Sequence, residues 1–357
     1  MSLTRNPWEA LGEPPWHPPQ APPSSPLPST CDVLIVGAGV TGLAAALALT
    51  STGRHVVVVD RRFGSGAACR SGGIIVGDTL VGPAPGFERC DLDLREWVTA
   101  HAPDCRLRWT GCLELDRDAR LSSRPIDWQD AGPVRLSGRI EGGTLDPSAL
   151  LSALASAVVA GGARFVDAFA VDRCERSGSR LTATGHGQAI RADAVLYATD
   201  ATDAATRRLW PHRQLTVALE TTPIPEALAD EIGWRDRLPF YTNELPLLWG
   251  RTLDDGALLA GRELVPLDDS TSFAPAFQQA SARLVARIRG LHPALAAIEA
   301  RHIWAGPIAR DERGVPSVVP DPDLAGVWWA GGFGGHGLAQ AFRLGKQAAV
   351  EIARLRT

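Results

Sequence analysis

Residues 1–30 show no apolar period and are dense in proline (PPWHPPQAPPSSPLPS). Proline lacks the amide donor a helix needs, so this segment is expected to be extended or disordered, with Trp8 and Trp16 available to dock it on the body. From Cys31 the pattern changes. Val33 to Val36 is an uninterrupted apolar run, as in a strand buried on both faces. An Ala/Leu-rich helical stretch follows, then a second apolar run, Val56 to Val59. Residues 88–102 (LDLREWV) read as a helix, and 105–140 alternate short strands with turns. Residues 143–161 read as a turn and then a helix started by Asp146-Pro147. ARFVDAFAVDRCER and LTATGHGQAIRADAVLYAT read as β, the latter ending in the apolar run Ala194 to Ala198. Residues 214–265 read mostly as β, and 274–300 as helical, with Leu284, Ile288 and Leu291 at helical spacing. The end repeats the opening logic: a strand (Val327 to Ala330), a glycine-rich loop and a long helix.

The junction after the first apolar run is Gly37-Ala38-Gly39-Val40-Thr41-Gly42. In a strand–turn–helix, Gly37 permits the tight turn, Gly39 lets backbone approach a pyrophosphate, and Gly42 lets the helix pack on the strand. The helix N-terminus supplies amide donors and partial positive charge for the phosphates. Asp60 closes the second strand, placed to bind both ribose hydroxyls of an adenosine. A plain nicotinamide enzyme has no need of a second glycine-rich strand–helix junction at its C-terminal end. A flavoprotein does, because the far end of FAD requires its own cradle. The expected fold is therefore α/β in two domains. A discontinuous Rossmann-type FAD domain covers 31–85, 140–212 and 301–357, and a β-rich substrate domain covers 86–139 and 213–300, after the leader 1–30.

Composition adds exclusions. The 357-residue chain carries a formal net charge of −4, which argues against nucleic acid or an anionic membrane as partner. No apolar run approaches the ~20 residues of a membrane span, and the N-terminus has no basic-then-apolar signal pattern. The six cysteines form neither CxxC nor a metal-ligand spacing, so free thiols in a reducing cytoplasm are expected and no metal site. Lys346 is the sole lysine.

Taken together, these residues resemble the FAD-dependent D-amino-acid oxidase superfamily, which includes glycine and sarcosine oxidases. Beyond the fingerprint, the resemblance rests on the loop Arg70-Ser71-Gly72-Gly73, on Gly143-Thr144-Leu145-Asp146-Pro147 and on Val195-Leu196-Tyr197-Ala198-Thr199. It extends through Trp304 to Pro316 and Gly331-Gly332-Phe333-Gly334-Gly335-His336-Gly337. The gamma-glutamylputrescine oxidase-like branch is most similar, through Asn6-Pro7-Trp8-Glu9, Thr221 to Pro225, Glu231 to Trp234, and Leu248 to Thr252 followed by Asp255-Gly256. Asp200 stands where that branch tends to have Asn. The resemblance implies non-covalent FAD held by Gly37, Gly39, Val40, Thr41, Gly42, Asp60, Arg61, Arg70, Ser71, Gly72, Gly73, Val171, Thr199, Gly332, Gly334, Gly335, His336, Gly337 and Leu338.

The departures narrow the substrate. The family's carboxylate-binding Arg matches Ile308 here, and Arg310, two residues on, is expected to face the other way. The oxygen-activating lysine of sarcosine oxidases matches about Leu259, and their flavin-linking cysteine matches about Ile308. A simple α-amino acid and fast oxygen reactivity are therefore both disfavoured.

The implied activity is oxidation of a C–N bond in a small amine or amino-acid derivative by hydride transfer to flavin N5. The imine product then hydrolyses, and O2 or another acceptor takes the electrons. An aromatic pocket would favour the neutral amine that hydride loss requires. Substrate-side candidates are His336, Arg70, Tyr241, Trp249, Arg251 and Trp304. Each has a plainer reading: a turn residue for His336, a structural salt bridge for Arg70, core or surface packing for the rest. Cys69 reads either as a flavin thioether or as a small buried thiol, and Trp328 and Trp329 read as packing. Two further functions stay open: an NAD(P)H-reduced flavin monooxygenase, and a redox-silent flavoprotein acting as a structural partner.

Overall fold

The computed structural model describes residues 7–117, 125–126, 128, 134–202, 204–267 and 273–354. Asn6, and part of the strand-and-turn stretch expected over 105–140, lie outside them.

The apolar run Val33–Val36 lies in strand Thr30–Val36, at the centre of an eight-stranded sheet. It pairs in parallel with Val56–Val59 on one side and Gln188–Tyr197 on the other. Arg164–Val166 extends the first side and Val327–Gly331 the second, both in parallel. All four valines of Val56–Val59 are fully buried, as the unbroken apolar pattern requires. Helices Val40–Thr50, Pro147–Ala160 and Gly337–Ala353 share one core with a face of this sheet. Successive connections run to opposite sides of Thr30–Val36, so the strand order reverses beside it. A crevice opens at the carboxyl ends of strands flanking such a reversal.

A second eight-stranded sheet has the order Ala300–Arg310, His212–Pro223, Ala257–Pro266, Trp249–Thr252, Phe240–Thr242, Cys112–Asp116, Val134–Ile140, Pro125–Ile126. Helix Phe273–Gly290 covers one face through Ala280, Leu284 and Ile288. The other face turns toward the first sheet.

Two expected boundaries move. Helix Cys90–His101 does not join the second sheet. Its Leu94 and Val98 enter the first core, and its Asp93 accepts a 2.5 Å hydrogen bond from Arg343 of the C-terminal helix. Strand Ala300–Arg310 does not belong to the first sheet, because it pairs with His212–Pro223 from His212 to Thr221. An amphipathic or apolar period shows that a face is covered, not what covers it.

The leader from Pro7 onward is docked. Trp8 is 2% exposed and donates through Nε1 to Ser65 O (3.2 Å), and Trp16 Nε1 donates to Cys69 O (2.7 Å). Glu9 pairs with Arg62, and Ser148 Oγ donates to His17 O (2.5 Å). Both tryptophans thus hold the leader against the loop that follows the second strand. Among the described residues, no helix is long and apolar enough to cross a membrane.

Candidate functional site

A cavity of about 900 Å³ starts at the reversal point and runs between the two sheets. At its first end stand the carboxyl termini of three parallel strands, contributing Val36, Asp60 and Ala198. Gly37 turns with φ +107°, where a Cβ would press on Ala198 O. Gly39 has ordinary φ, and a Cβ there would meet nothing within 4 Å, so its bare backbone faces the cavity. At Gly42 a Cβ would overlap the Gly37 carbonyl, so this glycine serves helix-to-strand packing and does not line the cavity. Helix Val40–Thr50 has no side-chain cap at Gly39, which leaves its first amides for an anion. Asp60 accepts from Ala38 N (2.6 Å) and Arg62 N (2.8 Å), which fixes its carboxylate at the cavity wall. Burial pushes that carboxyl above its usual range, and the two amides offset part of the effect.

The loop after the second strand brings Arg70, Ser71, Gly72 and Gly73 to the wall, with Arg61 before them and Val171 and Thr199 opposite. Gly334, Gly335, His336, Gly337 and Leu338 close the far side; Gly332 lies behind, where a Cβ would strike the Trp210 ring. His336 starts the C-terminal helix without a side-chain cap. Burial lowers its pKa to about 4, so the imidazole is neutral at pH 7. Ser71 Oγ, Thr199 Oγ1 and His336 Nδ1 are buried without hydrogen-bond partners within the protein. Buried polar atoms are normally paired, so these three, all on the cavity wall, mark where a polar ligand is held. An uncapped helix end beside bare glycine backbone, a carboxylate for ribose and orphaned donors further in fit FAD along its length.

Several substrate-side expectations change. Trp304 is fully buried and off the cavity; its Nε1 donates to Arg70 O (3.0 Å) and its ring packs edge-on against Trp16 (5.7 Å). It holds the loop rather than substrate. Arg251 is buried behind Gly73 and also off the cavity, and burial lowers its pKa to about 10. Arg70 lines the cavity, and its guanidinium donates to Trp8 O (3.2 Å), Leu11 O, Gly12 O and Ala305 O. These partners are backbone carbonyls, not a salt bridge, and they tie the leader to the second sheet. Cys69 does not line the cavity, and burial pushes its thiol up to about 12, so the small-buried-thiol reading fits.

Tyr241 and Trp249 do face the cavity, and burial pushes the Tyr241 hydroxyl above its usual range. The Trp249 ring fits a slot between Gly72 and Gly261, and a Cβ on either glycine would strike it. Arg310 requires a correction. Side chains two residues apart on a strand point to the same face, so Arg310 shares the face of Ile308, and both line the cavity.

Arg262 was missed, and it too lines the cavity. With unbroken alternation it would face helix Phe273–Gly290, like Leu258 and Ala260. A bulge opposite Thr216–Ala218 shifts the period, so Val265 and Leu267 face the helix and Arg262 and Leu264 face the cavity. Arg262 lies 3.7 Å from Glu244.

The profile of a family described as "FAD dependent oxidoreductase" (DAO) matches residues 32–350. Gamma-glutamylputrescine oxidoreductase of Escherichia coli (strain K12) is 28% identical over 198 residues, 44% of this chain and 46% of that protein. The match thus spans about half the length of that relative. Among solved structures, glycine oxidase from Geobacillus kaustophilus has a TM-score of 0.72 at 18% identity, covering 92% of this chain and 96% of its own. L-proline dehydrogenase from P. horikoshii has a TM-score of 0.71 at 19% identity, covering 93% and 95%. At these identities the two structures speak for the fold, that of two-domain FAD oxidoreductases. The chain belongs to the DAO family of FAD-dependent oxidoreductases, and FAD is its cofactor.

Proposed function

We propose that this enzyme oxidises the C–N bond of an amine or amino-acid derivative to an imine, which water then hydrolyses. The observation that carries the reading is one continuous cavity. It joins the dinucleotide crevice to a chamber walled by Tyr241, Trp249, Leu264 and Ile308. The chemistry FAD supplies when bound is acceptance of a hydride from the carbon next to nitrogen. The chain's part is to bind, orient and dry the substrate. Trp249 and Ile308 present apolar surface that disfavours an ammonium, so the amine is held neutral with its lone pair available. Tyr241, protonated at neutral pH, offers its hydroxyl as a donor. The uncapped helix end at His336 places backbone amides and a partial positive charge on the side where negative charge develops. The glycine oxidase and proline dehydrogenase folds support this reading as likenesses. Six cysteines present as free thiols support a reducing compartment.

The test is anaerobic addition of an amine panel to the purified holoenzyme, with NADH and NADPH added separately, while the visible flavin band is followed. Bleaching by an amine alone is the expected result. Bleaching only by a nicotinamide would replace the reading with a monooxygenase, and no bleaching by either with a non-catalytic flavoprotein.

A further inference from the structure

Strand His212–Pro223 turns Leu215, Val217 and Leu219 into the core beneath helix Phe273–Gly290. Side chains alternate along a strand, so Gln214 and Thr216 face the other way, and both line the cavity. Polar side chains elsewhere on this strand are engaged. His212 Nε2 meets Glu312 (2.7 Å) and Arg213 donates to Ala201 O. Glu220 accepts from Arg301 (2.5 Å), and Thr221 Oγ1 donates to Thr222 O (2.7 Å). The Gln214 amide and the Thr216 hydroxyl are different: neither has a hydrogen-bond partner among the described residues.

The register gives this pair its surroundings. Gln214 lies beside Ile308 on one neighbouring strand and Thr216 beside Leu264 on the other, each at a strand spacing of about 4.8 Å. Along their own strand the two are about 7 Å apart. Ile308 in turn packs over Gly335, in the loop before the C-terminal helix. Two uncharged hydrogen-bonding groups thus stand between apolar side chains on the cavity wall.

Such a pair selects by chemistry. A primary amide offers two donors and an acceptor oxygen, and a hydroxyl both donates and accepts. Their complement is a group that also donates and accepts without charge, which is a carboxamide. A carboxylate only accepts. It would leave the Gln214 oxygen without a donor and would lose water against Ile308 and Leu264. Arg262 and Arg310 also line the cavity, so a carboxylate held by either of them is the competing outcome.

We propose that Gln214 and Thr216 bind a neutral carboxamide on the substrate, which is then an amine that also carries an amide group. The two are specificity-determining residues. The inference rests on the reading that the chamber takes an amine, but the amide site can be tested without turnover.

Calorimetric titration of the holoenzyme with valeramide, valerate and butyl methyl ketone reads the site directly. Valeramide should bind tightest, with valerate and the ketone, which only accept, about fivefold weaker or more. Gln214→Leu should weaken valeramide about tenfold and Thr216→Val about threefold, with valerate unchanged. Both variants should keep their FAD and their melting temperature, since neither side chain is bonded within the protein. Anaerobic flavin reduction then compares δ-aminovaleramide, δ-aminovalerate and hexylamine. The amide should give the lowest half-saturation, and Gln214→Leu should raise it for the amide alone, with the limiting rate little changed. Tighter or equal binding of valerate, or valeramide binding indifferent to Gln214→Leu, overturns the site. Loss of FAD from Gln214→Leu would assign the pair to the cofactor and overturn it as well. Amide binding through Gln214 without reduction by any amine would leave the site standing and remove the amine reading. Reduction by amines with no preference for the amide would do the reverse.

Discussion

Gly39 and Gly42 stand three residues apart in one motif and do different work. At Gly39 φ is ordinary and a Cβ would enter open space on the cavity wall, whereas at Gly42 it would overlap the Gly37 carbonyl. Gly39→Ala should leave the melting temperature of the apoprotein unchanged and weaken FAD binding tenfold or more, as fluorescence titration would show. Gly42→Ala should lower apoprotein stability itself by roughly 1–3 kcal/mol, in the range of overpacking. Asp200 gives a residue-scale prediction in pH. It has φ +43°, and its Oδ1 accepts from Gly332 N (2.7 Å). Burial raises its pKa to about 6, and the Gly332 and Ala201 amides offset part of that. Between pH 3.8 and about 6 the folded state holds more protons than the unfolded one, so stability from this group falls as pH rises. His336 acts in the opposite sense: its pKa falls from 6.5 to about 4, so its contribution rises with pH across that window. Asp200→Asn keeps the acceptor, tolerates the left-handed backbone and removes the buried charge. It should stabilise by on the order of 1 kcal/mol at pH 8 and by nothing near pH 3.5, read from melting curves at both pH values.

At the scale of elements, the leader is the least conventional part. Its contacts converge on the loop 62–73: Trp8 on Ser65, Trp16 on Cys69, Glu9 on Arg62, and the Arg70 guanidinium on three leader carbonyls. That loop supplies Ser71, Gly72 and Gly73 to the cavity wall. Removing residues 1–20 strips these partners and leaves the buried Arg70 fork short of acceptors. Such a variant should lose FAD on gel filtration while keeping its far-ultraviolet circular dichroism, and Arg70→Lys should reproduce part of the loss. Sequence reading found the two docking tryptophans because large aromatics in a proline-rich segment have little other use. It gave Arg70 no such role, because carbonyl partners carry no residue signature. The bulge that turns Arg262 inward was invisible for a related reason: it adds one residue to a strand whose composition is otherwise regular.

For the whole molecule, the legible parts are those that local geometry forces into a fixed spacing. The fingerprint from Val36 to Asp60 and the loop Gly334–Gly337 both reach the cavity, because a turn followed by a helix N-terminus needs those glycines. Assignment of pieces to domains was weaker. Cys90–His101 and Ala300–Arg310 each changed sides, since their partners lie far away in sequence and pairing is not encoded in a period. The expected substrate-side residues were the least legible: Tyr241 and Trp249 line the cavity, while Trp304 and Arg251 do not. Trp249 also ties the two sheets together, its ring filling the slot between Gly72 on the cofactor loop and Gly261 on the substrate sheet. These three positions form one inheritable unit. A lineage that shrinks the tryptophan releases both glycines to vary, and a lineage that keeps it must keep both, although Gly72 and Gly261 lie far apart in sequence and belong to different sheets.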